Sequence, residues 1–203
     1  DSRFITESVD NQISENTSGS FTLRLKSKID STQNLIVKAN GAVGSNSMIS
    51  DAISNVSQSD LVRLNDNSNS YDMKGGNYRI STDILWQKKS KKPGRTYSLN
   101  GAVNLSDNHS DSDIASLNNI YFPFTSSQRL LQNQIGSNDG LFYKAEASYT
   151  EPIGKKQYLE LKTNIANQNN RTSTDYFDIV NDNPIRNSLL STLYQRDYIQ
   201  RNI

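Results

Sequence analysis

The sequence contains no cysteine, one histidine and only four prolines among its 203 residues. Without cysteine the chain has no disulfide framework, no thiolate metal site and no cysteine nucleophile. Serine is so frequent in this sequence that its proximity to the single His109 does not indicate a nucleophilic site. No other general base is marked out, so we expect no enzyme activity and no cofactor. No stretch approaches the roughly 20 apolar residues of a transmembrane helix. A net charge of +1 gives no general attraction to nucleic acid, and we expect no nucleic-acid partner.

Polar residues are abundant instead. The chain has 25 Asn and 29 Ser residues, about a quarter of its length. It also keeps 10 Tyr and 6 Phe, whereas disordered chains are usually poor in aromatic residues. The composition therefore indicates short patterned strands joined by long polar loops.

Three segments alternate apolar and polar residues with the period of two that is typical of a β-strand. In the clearest, Tyr78, Ile80 and Ile84 alternate with Arg79 and Asp83. Each segment contains a short turn, with the sequences DSTQ, KKPGRT and EPIGKKQ. The predicted hairpins are 20–44, 77–106 and 141–168, and YQRDYIQRNI at 194–203 resembles the start of a seventh strand.

Long polar segments separate the hairpins, and they are predicted to be outer loops at 45–75, 107–140 and 169–193. Short turns at one end and long loops at the other are typical of outer-membrane β-barrels. The fold predicted is therefore all-β, an antiparallel up-and-down transmembrane β-barrel.

Two sets of residues follow from the alternation. The predicted lipid-facing residues are Phe21, Leu23, Leu25, Leu35, Val37, Tyr78, Ile80, Ile84, Trp86, Tyr97, Leu99, Val103, Tyr143, Ala147, Tyr149, Leu159, Leu161 and Ile165. The predicted lumen-facing residues are Arg24, Lys26, Lys38, Arg79, Asp83, Asn100, Lys144, Glu146, Glu160 and Lys162. The alternative is a soluble or surface-exposed all-β binding or adhesion domain, in which the apolar residues face a protein core.

The strand count indicates an incomplete barrel. Six strands and the start of a seventh cannot close, and single-chain bacterial barrels use even numbers of strands from eight upwards. We therefore expect residues 1–203 to be one segment of a larger barrel. The segment is not expected to fold alone, because its two edge strands would be open.

Three stretches carry a resemblance to a known family: IDSTQNLIVKANGAVG (29–44), KKPGRTYSLNGAVNLSDNHSD (91–111) and YTEPIGKKQYLELKTNIANQNN (149–170). They resemble the barrel region of TonB-dependent-receptor-like outer-membrane proteins of Gram-negative bacteria. The resemblance implies a barrel of about 22 strands with an N-terminal plug. It also implies an outer-membrane location, ligand uptake, and contact with the TonB system and a surface lipoprotein through parts not in this chain.

Two further groups of residues are candidates for binding. Asp107, Asp111 and Asp113 stand at alternate positions and are weak candidates for a metal site, although an EF-hand's glycine and closing glutamate are missing. Tyr121, Phe122 and Phe124 are apolar residues inside a polar segment. They are predicted either to form the small core of a folded loop or to contact a ligand or partner.

Overall fold

A computed structural model describes residues 4–58, 62–154 and 156–202, which form a single antiparallel sheet. The strands are β1 (Phe4–Lys28), β2 (Gln33–Gln58), β3 (Arg63–Lys89), β4 (Thr96–Ile120), β5 (Ser126–Pro152), β6 (Tyr158–Val180), β7 (Asn183–Arg186) and β8 (Thr192–Asn202). The strands from β1 to β7 pair in chain order, and β8 also pairs with β6. The predicted all-β, up-and-down topology is thus confirmed, but the sheet is open and not closed into a barrel.

The short turns lie where the sequence predicts them. Between β1 and β2, the Asp30 carboxylate accepts hydrogen bonds from the backbone N–H of Thr32 at 2.7 Å and of Gln33 at 2.9 Å. Between β3 and β4, Gly94 adopts a φ of 85°, a left-handed conformation that glycine reaches without strain. β8 contains residues 194–202 of the predicted seventh strand, and residue 203 lies outside the described residues.

The predicted long outer loops are wrong, because the structure continues the strands through most of these segments. β2 runs on to Gln58 and β3 begins at Arg63; residues 59–61 lie outside the described residues. β4 and β5 likewise continue to a connection at 121–125, and β6 ends at Val180. The Gly75–Gly76 pair lies inside β3. Long loops at one end therefore no longer support the barrel prediction.

Polar cross-strand pairs explain why these extensions form strands. Ser116 donates a hydrogen bond to Asn69 across β3 and β4 at 2.7 Å. Thr172 donates to Asn138 across β5 and β6 at 3.1 Å. Asparagine and serine have low intrinsic strand propensity, but pairing with a neighbouring strand often decides the conformation of such residues. The extensions are mostly polar. Those of β1 and β2 keep a few apolar pairs on one face, such as Val9 with Ile53 and Ile13 with Ile49, but these are too widely spaced to give the strict alternation that would mark a strand.

The sheet has no hydrophobic core. No apolar side chain is buried among the described residues, and Leu23 and Leu99 are 59% and 53% exposed. No helix within 4–58, 62–154 and 156–202 is long and apolar enough to span a membrane. A stable water-soluble fold needs at least two layers packed around a core. This single layer therefore requires another medium or molecule against its apolar side chains.

Candidate functional site: the two faces of the sheet

The strand register determines which side chains share a face. Residues directly opposite each other on paired strands point to the same side, and successive residues of a strand point to opposite sides. Leu25 pairs with Val37, Val37 with Ile84 and Ile84 with Gly101, so these residues share one face.

The register separates the two predicted sets onto opposite faces of the sheet. All eighteen predicted lipid-facing residues lie on one face, and all ten predicted lumen-facing residues lie on the other. We call these the apolar face and the polar face. That the apolar face meets lipid stays a prediction at this point.

Apolar side chains of the apolar face form a continuous belt near the short turns, and none of them is buried. The apolar belt consists of Phe21, Leu23, Leu25, Leu35, Val37, Val43, Tyr78, Ile80, Ile84, Trp86, Tyr97, Leu99, Val103, Leu105, Leu141, Tyr143, Ala147, Tyr149, Leu159, Leu161 and Ile165. From Tyr97 to Leu105 it extends about 27 Å along β4 at about 3.4 Å per residue. If the strand is tilted by about 40° from the membrane normal, the height of the belt across the membrane is about 21 Å. This is close to the ~25 Å apolar band of membrane barrels.

Aromatic residues lie at both edges of the apolar belt. At the edge near the short turns, the rings of Tyr97 and Tyr149 are 5.2 Å apart. The indole N–H of Trp86 there donates a hydrogen bond to Gln33 at 3.2 Å. Tyr78 lies at the opposite edge of the belt, directly opposite Val43 on the neighbouring strand. Aromatic rings with a polar tip are typical of the boundary between hydrocarbon and water.

The polar face opposite the belt carries charged groups. Glu146 forms ion pairs with Lys144 at 2.6 Å and with Lys162 on the neighbouring strand at 2.9 Å. Asp83 lies directly opposite Lys38 in the register. Opposite charges at neighbouring positions stabilise a sheet. This face therefore suits contact with water.

A cluster around Glu151 joins two of the short turns. The Glu151 carboxylate accepts hydrogen bonds from Arg95 at 2.6 and 2.9 Å, from Lys92 at 2.5 Å and from the Tyr149 hydroxyl at 2.5 Å. The bonds from Arg95, followed by those from Lys92 and Tyr149, hold the pKa of Glu151 well below its ordinary value. The sequence did not predict this cluster, because Glu151 and Arg95 are 56 residues apart.

The weak metal candidates are spread along one strand. The side-chain amide of Asn133 donates hydrogen bonds to Asp111 at 2.6 Å and Asp113 at 3.1 Å. Asp107 lies opposite Asp139, and a hydrogen bond between their carboxyl groups raises the pKa of Asp139. No group of three or more metal-ligating residues occurs in the described part of the chain. The structure therefore does not bring Asp107, Asp111 and Asp113 together as a metal site.

Tyr121, Phe122 and Phe124 lie in the connection between β4 and β5, far from the apolar belt. The Tyr121 hydroxyl donates a hydrogen bond to Asp66 at 2.8 Å. Phe122 and Phe124 are 63% and 83% exposed, so the predicted small loop core is wrong. Contact with a ligand or partner stays a prediction for these two rings.

Leu105, Leu141 and Val43 belong to the apolar belt, although they are not in the predicted lipid-facing set. Leu105 and Leu141 pair across β4 and β5, and Val43 lies opposite Tyr78. Continuing the period of two along each strand would have found all three.

Comparison with known proteins identifies no family. No family model matches the chain, and no curated protein matches it. Among solved structures, the translocator domain of the autotransporter NalP from Neisseria meningitidis aligns over 95% of this chain and 86% of that chain. The identity is 6% and the TM-score is 0.13, so this likeness carries no argument.

Proposed function

We propose that this chain forms part of the wall of an outer-membrane β-barrel, with the apolar belt in contact with lipid and the polar face lining the lumen. The observation that carries the proposal is the exposed apolar belt, bounded by aromatic residues and backed by a charged face. Lipid hydrocarbon covers the apolar side chains of the belt, so no second protein layer is needed. The open edges of β1 and β8 then pair with further strands to close the barrel, because unpaired backbone groups are unfavourable in lipid.

The role within the membrane is that of a receptor or transporter for ligand uptake driven through TonB. This part of the proposal rests on the resemblance of the segments 29–44, 91–111 and 149–170 to that family. Such a wall needs no covalent chemistry. It holds the pore open and contributes side chains to the lumen, while the strand extensions beyond the belt and the rings of Phe122 and Phe124 are exposed for contact with a ligand or partner.

A soluble or surface-exposed adhesion domain is the competing function. It requires a protein layer over the belt, and the described residues supply none. The two functions differ in where the protein is found and in what the apolar face tolerates.

Arginine substitution on the two faces tests the proposal. Ile84 lies in the apolar belt, and Leu85 is its neighbour at the same height on the polar face. We expect Ile84→Arg to cost about 2–4 kcal/mol and to reduce the amount of protein assembled in the outer membrane. Leu85→Arg is the matched control, and we expect it to leave assembly near the unsubstituted level.

The measurement is the amount of protein recovered in alkali-washed outer membranes. Recovery of the unsubstituted protein in the soluble fraction would contradict the proposal. Equal loss from both variants would contradict the assignment of the two faces.

A further inference from the structure

The net charge of +1 conceals a strong separation of charge between regions of the sheet. Beside the apolar belt, the polar face carries nine basic residues: Arg24, Lys26, Lys28, Lys38, Arg79, Lys89, Lys144, Lys162 and Arg196. The same area carries three acidic residues: Asp83, Glu146 and Glu160. This part of the polar face is therefore strongly basic.

The acidic residues are concentrated elsewhere. Beyond the belt, the apolar face continues into the strand extensions and becomes mostly polar. It carries Glu7, Glu15, Asp51, Asp66, Asp72, Asp107, Asp111, Asp113, Asp139 and Asp175 there, against Arg63, Lys74, Arg129, Arg171 and Arg186. These groups lie on the opposite side of the sheet from the basic area, so they do not neutralise it locally.

Arg79 is the basic residue best placed to act on a solute. Its cross-strand neighbours are Ala42 and Ser106, and it forms no ion pair with any described residue. An open surface pocket of about 400 Å³ is lined by Arg79 and Phe142 and otherwise mainly by small and amide residues. An arginine with neutral neighbours beside open space presents unshared N–H donors to an anion.

We propose that the polar face is an electropositive wall that attracts small anionic solutes into the lumen, with Arg79 as its principal contact. The inference rests on the proposed function, because it needs the polar face to line a water-filled lumen. Basic residues that line a pore concentrate anions, since low-dielectric walls focus their field. Glu146 is held by Lys144 and Lys162, so it offsets only part of this charge.

The absence of cysteine allows a direct test, because any introduced thiol is unique in the chain. Ser106→Cys places a thiol opposite Arg79 on the polar face, and Leu99→Cys places one in the apolar belt. In native outer membranes, each thiol is treated with an anionic sulfonate-bearing methanethiosulfonate and with a cationic trimethylammonium-bearing one. For each variant, the rate of modification by the anionic reagent is divided by the rate for the cationic reagent. This ratio is compared with the same ratio for a free thiol in solution.

We expect the ratio of anionic to cationic rate in the Ser106→Cys variant to exceed the free-thiol ratio by about 10-fold and to fall as salt is raised. Adding Arg79→Ser should lower that ratio by about 3-fold. Lysine at position 79 should restore most of it, because Arg79→Lys keeps the charge.

The two proposals fail in different ways. A ratio at or below the free-thiol value in the Ser106→Cys variant, or a thiol there that reacts with neither reagent, would overturn the electropositive wall. Rapid reaction of the Leu99→Cys variant with both water-soluble reagents would instead overturn the contact of the apolar belt with lipid.

Discussion

At the scale of single residues, the apolar belt depends on how large and small side chains fit together. Phe21 lies opposite Gly41, and a Cβ added at Gly41 would stand 2.0 Å from a carbon of the Phe21 ring. The ring therefore covers the glycine backbone across β1 and β2. Gly101 lies in the same belt, but an added Cβ there would meet nothing within 4 Å.

The two glycines are expected to respond differently to alanine. Gly101→Ala should be neutral or stabilise by up to about 1 kcal/mol, because glycine weakens a strand interior. Gly41→Ala should be less stable than Gly101→Ala by about 1 kcal/mol, because the Phe21 ring must move away. Urea unfolding in lipid measures both. Phe21→Ala should abolish the difference, and its persistence would show that the ring does not cause it.

Glu151 gives a pH dependence with a definite sign. Its pKa is lowered from the ordinary value of 4.5 in the folded state, mainly by Arg95. The stabilisation is therefore fully present above about pH 4.5 and is lost as the pH falls from there through the lowered pKa. In thermal unfolding, the unsubstituted protein should have a higher melting temperature than Glu151→Gln at pH 7. This difference in melting temperature should shrink below about pH 4.5.

Glu160 provides the control for this measurement. It lies on the neighbouring strand and forms no hydrogen bond or ion pair with a described residue through its side chain, so Glu160→Gln should lower the stability at pH 7 by less than Glu151→Gln does. A gap for Glu151→Gln that grows on acidification would contradict the role of the cluster.

At the scale of elements, the sequence predicts the strands only where lipid or a core would impose alternation. Apolar and polar residues alternate along 78–86 and 97–105 with few exceptions, and the turns at Asp30 and Gly94 carry their own signals. Beyond them, residues 107–119 of β4 consist mostly of Ser, Asn and Asp. Pairing with β3 and β5 makes this polar segment a strand, and such long-range pairing is not encoded in local propensity.

Hydrogen exchange distinguishes a paired extension from a loop. Backbone amides of residues 107–119 should exchange slowly, because they are paired on both sides with β3 and β5. Amides of Phe122, Phe124 and Thr125 in the connection should exchange fast and serve as the internal reference. Exchange in 107–119 as fast as in this connection would mean that the segment is a loop after all.

At the scale of the whole molecule, the assignment of faces could be predicted and the extent of the sheet could not. The two sets of residues fall on opposite faces because side-chain alternation depends only on the backbone. The Glu151 cluster and the charge separation both require the register between distant strands. Together these features describe one sheet with an apolar belt, a basic polar face beside it, and polar extensions on one side of the belt.

The central claim is that the apolar belt meets lipid while the polar face meets water. Spin labels at single cysteines introduced from Ser98 to Leu105 on β4 test it directly in native outer membranes, through collisions with oxygen and with a water-soluble nickel chelate. We predict high oxygen and low nickel accessibility at 99, 101, 103 and 105, and the reverse at 98, 100, 102 and 104. High nickel accessibility at both sets, or no alternation between them, would contradict the claim.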